Sequence, residues 1–333
     1  MLHTPTHFSK AAAMVVIYNL MVILWGAWVR ITGSGAGCGD HWPSCGGEII
    51  PRDPGIETII EFTHRLTSGF TLIFTLLITI YAFRLFPKDH PVRKMAVLTL
   101  IFVLSEAALG AILVLKGLVA KDTSISRAVV VALHLANTHG LIAFGTLTAW
   151  WSHPRLAMPP HLKTERRLFE GAILGLLIVG MTGAITALGD TLFPINPADT
   201  ENIMARIRQD FSPTEHFLVR LRIIHPFLAV GLSLFLVGIS THVQRRAQRE
   251  GQKGFDHPLT LKLAQGVVFL TLTQVGLGII NISLGAPGWM QLIHLFVADI
   301  LWIAVVLSWA QLANPIENFQ MKLANPEYIE GAT

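Results

Sequence analysis

The chemistry-bearing residues of this chain are four histidines and one glutamate. His64 lies in Glu61-Phe62-Thr63-His64-Arg65, at the mouth of an apolar run from Leu66 to Phe86. His134, His225 and His294 each stand near the start of an apolar run of their own. Ionisable side chains are expensive in hydrocarbon, so a cluster at membrane depth marks a candidate functional site. An imidazole placed there ligates a metal, moves a proton or bonds a nearby carbonyl. His64 and His225 are 161 positions apart, and His134 and His294 are 160 apart. A helix-end carbonyl bond explains one such histidine; four at duplicated spacing point to ligation.

The elements that position them are membrane helices. Of 333 residues, 52% are hydrophobic and 14% charged, well below the quarter expected of a soluble domain. Eight runs reach the length of a span: 11–30, 62–86, 94–116, 128–151, 168–189, 217–240, 260–282 and 289–311. In a bilayer these must be helices, because each amide has to be satisfied within its own segment. The first run is too long for a signal-peptide core and reads as a retained span. The net charge of +4 concerns orientation and anionic lipid. No basic tract interleaved with aromatics appears, so nucleic acid is not an expected partner.

The basic connections 84–94, 152–167 and 241–262 alternate with poorer ones, which predicts cytoplasmic termini in a multi-pass inner (cytoplasmic) membrane protein. The histidines and the loop carrying Cys38 and Cys45 then face outward. Two cysteines seven positions apart either bridge or contribute half a thiolate metal set, and an oxidising compartment favours the disulfide. In the long connection 190–216, Asp199-Thr200-Glu201 is a candidate cap for a short surface helix carrying Ile203, Met204, Ile207 and Phe211.

Short motifs also recur. Gly26-Ala27-Trp28-Val29 returns loosely as Gly183-Ala184-Ile185-Thr186, and Leu133-His134-Leu135 as Ile293-His294-Leu295. The expected fold is therefore an all-α integral membrane protein of eight transmembrane helices, two tandem four-helix bundles related by a pseudo-two-fold along the membrane normal. The expected divisions are an N-terminal half, 1–152, a cytoplasmic linker, 153–167, a C-terminal half, 168–312, and a cytoplasmic tail, 313–333.

Two imidazoles on facing helices can hold one haem iron axially, with the porphyrin slotted between them. Arg65, Arg220 and Arg222 stand near the edge where propionates would emerge. Zinc is a weaker competitor, because no Cys, Asp or Glu completes a tetrahedral set in both halves. His139 has Asp299 opposite it in the repeat and reads as a packed core histidine; Glu106, opposite Gln274, reads as a buried structural acid. The halves differ at Glu61, whose counterpart is Arg222. A carboxylate three residues before a ligand shares its helical face, although pairing with Arg65 at i,i+4 also explains it.

The pattern resembles the heme A synthase family. The residues that carry the resemblance are Arg30-Ile31-Thr32-Gly33-Ser34-Gly35, Cys38 through Trp42-Pro43 to Cys45, Glu61-Phe62-Thr63-His64-Arg65, His134-Leu135, His225-Pro226 and His294. It implies oxidation of a ring methyl of heme o to a formyl group, giving heme a for terminal oxidases. It also implies a substrate pocket ligated by His64 and His134, a heme b cofactor between His225 and His294, and a glutamate important for turnover at Glu61. The implied partners are heme o, an electron acceptor, the heme o synthase (a farnesyltransferase) and the lipid bilayer; a homo-oligomer is compatible with it. Two other classes compete: a di-haem b-type cytochrome that takes electrons from quinol, and a haem or small-molecule transporter. The cytochrome accounts for the histidines equally well but leaves the Glu61/Arg222 difference unexplained.

Overall fold

Apolar runs too long for a soluble core have to satisfy their own amides, and the computed structural model of the chain does so with helices. It describes residues 5–153, 163–194, 208–251 and 258–313. The long helices are α1 (Pro5–Ile31), α2 (Ile56–Leu85), α3 (Pro91–Leu115), α4 (Ile125–Trp150), α5 (Lys163–Leu192), α7 (Ile224–Gly251), α8 (Pro258–Ser283) and α9 (Gly288–Ala313). A short α6 (Phe217–Leu221) precedes α7. Among the described residues eight segments of 25 to 33 residues are long and apolar enough to cross a membrane. Among the described residues the exceptions to helix are turns and one isolated bridge between Cys45 and Glu48. The chain is an all-helical multi-pass membrane protein.

Helix limits depart from the apolar runs in informative ways. α2 begins at Ile56, so Glu61 lies in its second turn and His64 in its third, inside the helix rather than at its mouth. The sixth span is broken at Arg222 and Ile223 between α6 and α7. Pro226 explains the break: it has no N–H, and its ring collides with the carbonyl four residues earlier, that of Arg222. α5 starts at Lys163, so part of the connection read as 153–167 is helical. Three of the described helix starts are capped by side chains: His90 Nδ1 accepts from Val92 N before Pro91, Ser124 Oγ accepts from Arg127 N, and His216 Nδ1 accepts from Leu218 N before α6. The expected surface helix at Asp199–Ile207 lies outside the described residues; Phe211 is exposed.

Neighbour order repeats along the chain. α1 packs on α2, α2 on α3, α3 on α4, and α4 back on α1; α5, α7, α8 and α9 close a second ring in the same order. The two rings meet through α4 against α5 and α9, and α1 against α9. Phe8, fully buried, packs edge-on against Tyr81 and Phe86 at 5.2 and 5.1 Å. The cluster around it reaches across to Trp302, Val306 and Ala310 of α9. Large apolar side chains such as Ile17, Leu77, Phe227, Leu234 and Phe269 lie on the outside, as lipid-facing surfaces require.

Candidate active site

Glu61 is buried, and three donors hold it. Its Oε1 accepts from Arg65 Nε at 3.1 Å and Nη2 at 2.5 Å, and its Oε2 accepts from Cys38 N at 2.8 Å. Arg65 Nη1 in turn donates to the carbonyls of His41 and Ser44 at 2.6 and 2.7 Å. The Cys38–Cys45 disulfide closes this loop. Thr58 Oγ1 ties it to α2 by donating to Gly37 O at 2.7 Å. Only glycine fits at 37, since a Cβ there would lie 2.5 Å from the Glu57 carbonyl. The i,i+4 pairing anticipated for Glu61 and Arg65 is therefore present, but it is one part of a latch between the cysteine loop and the His64 helix.

In each half the two histidines pack against the two other helices of their ring. In the first, the His64 ring covers Gly26 of α1, and His134 Nδ1 lies 2.9 Å from Glu106 Oε1 of α3 without hydrogen-bond alignment. Glu106 is fixed by Asn137 Nδ2 at 2.5 Å and by the Thr138 hydroxyl. In the second, the His225 ring covers Gly183 of α5, and Gln274 of α8 donates to His294 Nε2 at 3.2 Å and to its carbonyl at 3.1 Å. His225 Nδ1 faces the Val179 carbonyl at 3.1 Å, which leaves Nε2 as the nitrogen available to a ligand.

In the second half the spacing of the two histidines fits a haem held between them. The His225 and His294 ring centres are 6.4 Å apart with planes at 87°. Two imidazoles sharing one metal through bonds of about 2.0 Å have centres roughly 6 Å apart. The Nδ1 atoms of His64, His134 and His294 are buried without a hydrogen-bond partner. Among the described residues no group of three or more His, Cys, Asp or Glu is placed to hold a metal ion.

A sequence model of the cytochrome oxidase assembly protein family, COX15-CtaA, matches residues 10–306. The chain belongs to this family, that of the heme A synthases. It is 45% identical to a protoheme IX farnesyltransferase of Thermus thermophilus over 296 residues, 88% of this chain and 46% of that protein. It is 40% identical to a heme A synthase of Bacillus mycoides over 111 residues, 33% of this chain and 36% of that one. A heme A synthase of Bacillus cereus is 39% identical over the same length. The chain thus spans about half the length of the Thermus relative, and its match to the Bacillus proteins is partial.

Within this family member two of the three arginines expected near the propionates are already engaged. Arg65 is used by the latch, and Arg222 pairs with Asp190 at 2.9 Å while donating to the Gly189 and Phe193 carbonyls at 2.7 and 2.5 Å. Arg220 is exposed. Arg30, singled out only as part of a motif, links the halves: it donates to Ala187 O at 2.7 Å, Gln291 Oε1 at 2.9 Å and the Thr191 hydroxyl. Sequence reasoning left Glu106 outside the site. Its repeat partner Gln274 also lies beside the fourth-helix histidine of its own half, although through the other ring nitrogen and the backbone carbonyl. Asp190 carried no comparable signal, because its partner Arg222 lies on another helix.

The glycine cradles yield a prediction. A Cβ at Gly26 would sit 2.9 Å from His64 Cε1, and one at Gly183 would sit 2.9 Å from His225 Cε1. If each histidine pair holds a haem, Gly26→Ala is expected to weaken haem retention in the first half alone by on the order of tenfold, and Gly183→Ala in the second alone. Quantifying each extracted haem from the two variants checks this; equal losses from both pockets would refute it.

His139 is a packed core residue, as its sequence context indicates. Its ring meets Trp302 edge-on at 4.7 Å, its Nδ1 bonds the Leu135 carbonyl at 3.1 Å, and Trp302 Nε1 donates to its carbonyl at 2.9 Å. Asp299 lies 3.9 Å from His139 Nε2, fully buried, with neither oxygen hydrogen-bonded. An unsatisfied buried group costs about 1–3 kcal/mol. Asp299→Leu is therefore expected to raise the thermal unfolding temperature of the purified protein; a fall would contradict that account.

Proposed function

We propose that this chain is a heme A synthase, converting a ring methyl of heme o into a formyl group in the inner (cytoplasmic) membrane. Its N-terminal half, 1–152, holds the substrate between His64 and His134, and its C-terminal half, 168–312, holds heme b between His225 and His294. One observation carries this reading. Both histidine pairs have a glycine cradle and a polar third-helix neighbour, but only the first has a buried carboxylate, Glu61, three residues before a ligand. The repeated neighbour order of the two helix rings supports a duplication about an axis along the membrane normal. The charge of the connections supports cytoplasmic termini and outward-facing pockets.

A bis-histidine iron offers no open coordination position, so oxygen insertion at the iron would require His64 or His134 to leave. The alternative oxidises the methyl with water as the oxygen source. Methyl plus water gives hydroxymethyl, two protons and two electrons; a second round gives a gem-diol, which loses water to the aldehyde. Heme b, when bound, supplies one-electron transfer toward an external acceptor. Glu61 is fixed by Arg65 and Cys38 N close to the ligand, where its carboxylate stabilises developing positive charge or accepts a methyl proton. Arg65 and Arg222 act at the pocket rim by orienting Glu61 and the α5–α7 contact. A farnesyltransferase partner that delivers heme o accords with the name of the longer Thermus relative.

Extraction and chromatography of the bound haems test the assignment. Heme b together with heme o or heme a is the expected result; heme b alone would make the protein an electron carrier. Turnover in isotopically labelled water should place the label in the formyl group. Label arriving from dioxygen would overturn the water route.

A further inference from the structure

The end of the bundle opposite the cysteine loop contains a cavity of about 570 Å³, between the α2–α3 turn and the ends of α4 and α9. Lys88, Arg93 and Lys94 bring positive charge to it, against Asp89 alone. Burial holds the His90 imidazole below its usual pKa, so it adds little charge at neutral pH. Lys88 and Lys94 are exposed, whereas Arg93 is anchored. Its Nη2 donates to Phe83 O at 2.6 Å, its guanidinium lies 4.7 Å over the Phe83 ring, and its Nε is buried with no hydrogen-bond partner.

The wall carries a second, independent feature. Trp151 is only 6% exposed, and its indole N–H is buried without an acceptor. Its neighbour Trp309, 6.0 Å away, already donates to Glu170, which also pairs with Arg166. A donor withdrawn from water and left unpaired is costly, so a ligand with acceptor oxygens is the natural occupant. Cations around an unpaired N–H match a phosphate.

We propose that this cavity binds the headgroup of an anionic phospholipid. The cavity lies at the boundary of the apolar helices, where basic pockets meet charged headgroups. Phe83, which lies under Arg93, and Ile80, one turn earlier on α2, are both exposed and offer an acyl chain a surface that free phosphate would not need. Because Trp151 and Trp309 come from different helix rings, an occupant bridges the two halves and stabilises their docking. The inference is independent of the haem assignment.

The full-length protein, purified in a neutral detergent, is titrated with phosphatidylglycerol, with phosphatidylcholine and with inorganic phosphate. Lipid retention is read by native mass spectrometry, and stability by thermal unfolding. Phosphatidylglycerol is expected to remain bound and to raise the unfolding temperature, while the other two do neither. Trp151→Phe, which removes the N–H together with part of the indole ring, should weaken retention about tenfold, as should Lys88→Gln combined with Lys94→Gln, which leaves the buried wall intact. Equal stabilisation by phosphatidylcholine, an equal effect of inorganic phosphate, or variants that retain the lipid like the parent would each overturn the proposal.

Discussion

Glu61→Gln is expected to reduce heme a formation by roughly 10²–10⁴-fold, the range associated with a positioned acid–base group, while both haems remain bound. The substitution preserves size and leaves His64, His134, His225 and His294 untouched. It removes the negative charge that faces Arg65, and it turns an amide N–H₂ toward Cys38 N–H or sacrifices the bond to Arg65. Product is measured by chromatography of haems from membranes supplied with heme o, and occupancy by the absorption spectrum. Because Glu61 also latches the cysteine loop, a control is needed. The double variant Cys38→Ser, Cys45→Ser loosens the same loop but keeps the carboxylate. If Glu61 acts chemically, this control retains more activity than Glu61→Gln; equal losses would reduce Glu61 to a structural tether.

The second large effect concerns the ligands. His225→Ala or His294→Ala is expected to remove heme b, about half the total haem when both pockets are filled, and to stop turnover. His64→Ala or His134→Ala should stop turnover but leave heme b in place. All four rings are only half-buried and lie in the first turns of long helices, so alanine disturbs little packing. Pyridine-haem spectra and extraction of each variant separate the pockets. Loss of both haems in equal proportion from every variant would contradict the assignment of one haem to each half.

Much of this architecture is written in local composition. A run of about 20 apolar residues in lipid has one backbone solution, so the eight spans and their order follow from hydrophobicity without any tertiary information. Their limits do not, because a helix continues past hydrocarbon wherever caps and neighbours allow; α2 extends five residues before Glu61 for this reason. The break at Arg222 was legible in Pro226 and went unread, since the apolar run continues through it.

The four histidines and Glu61 were also visible in the chain, because an ionisable group in an apolar run is rare and repeated spacing exposes its partners. What they touch was decided only by the tertiary structure. Glu106 reached His134, Asp190 neutralised Arg222, and the cysteine loop folded back to hold Glu61 and Arg65. Periodicity places a residue on its own helix, but a partner on another helix depends on the rotation and depth of both, which packing sets. Sequence by itself determined which residues are costly enough in a membrane to need a compensating partner. The folded bundle decided which of them face one another, since a charge in low dielectric is stabilised only by the neighbour that packing brings within reach.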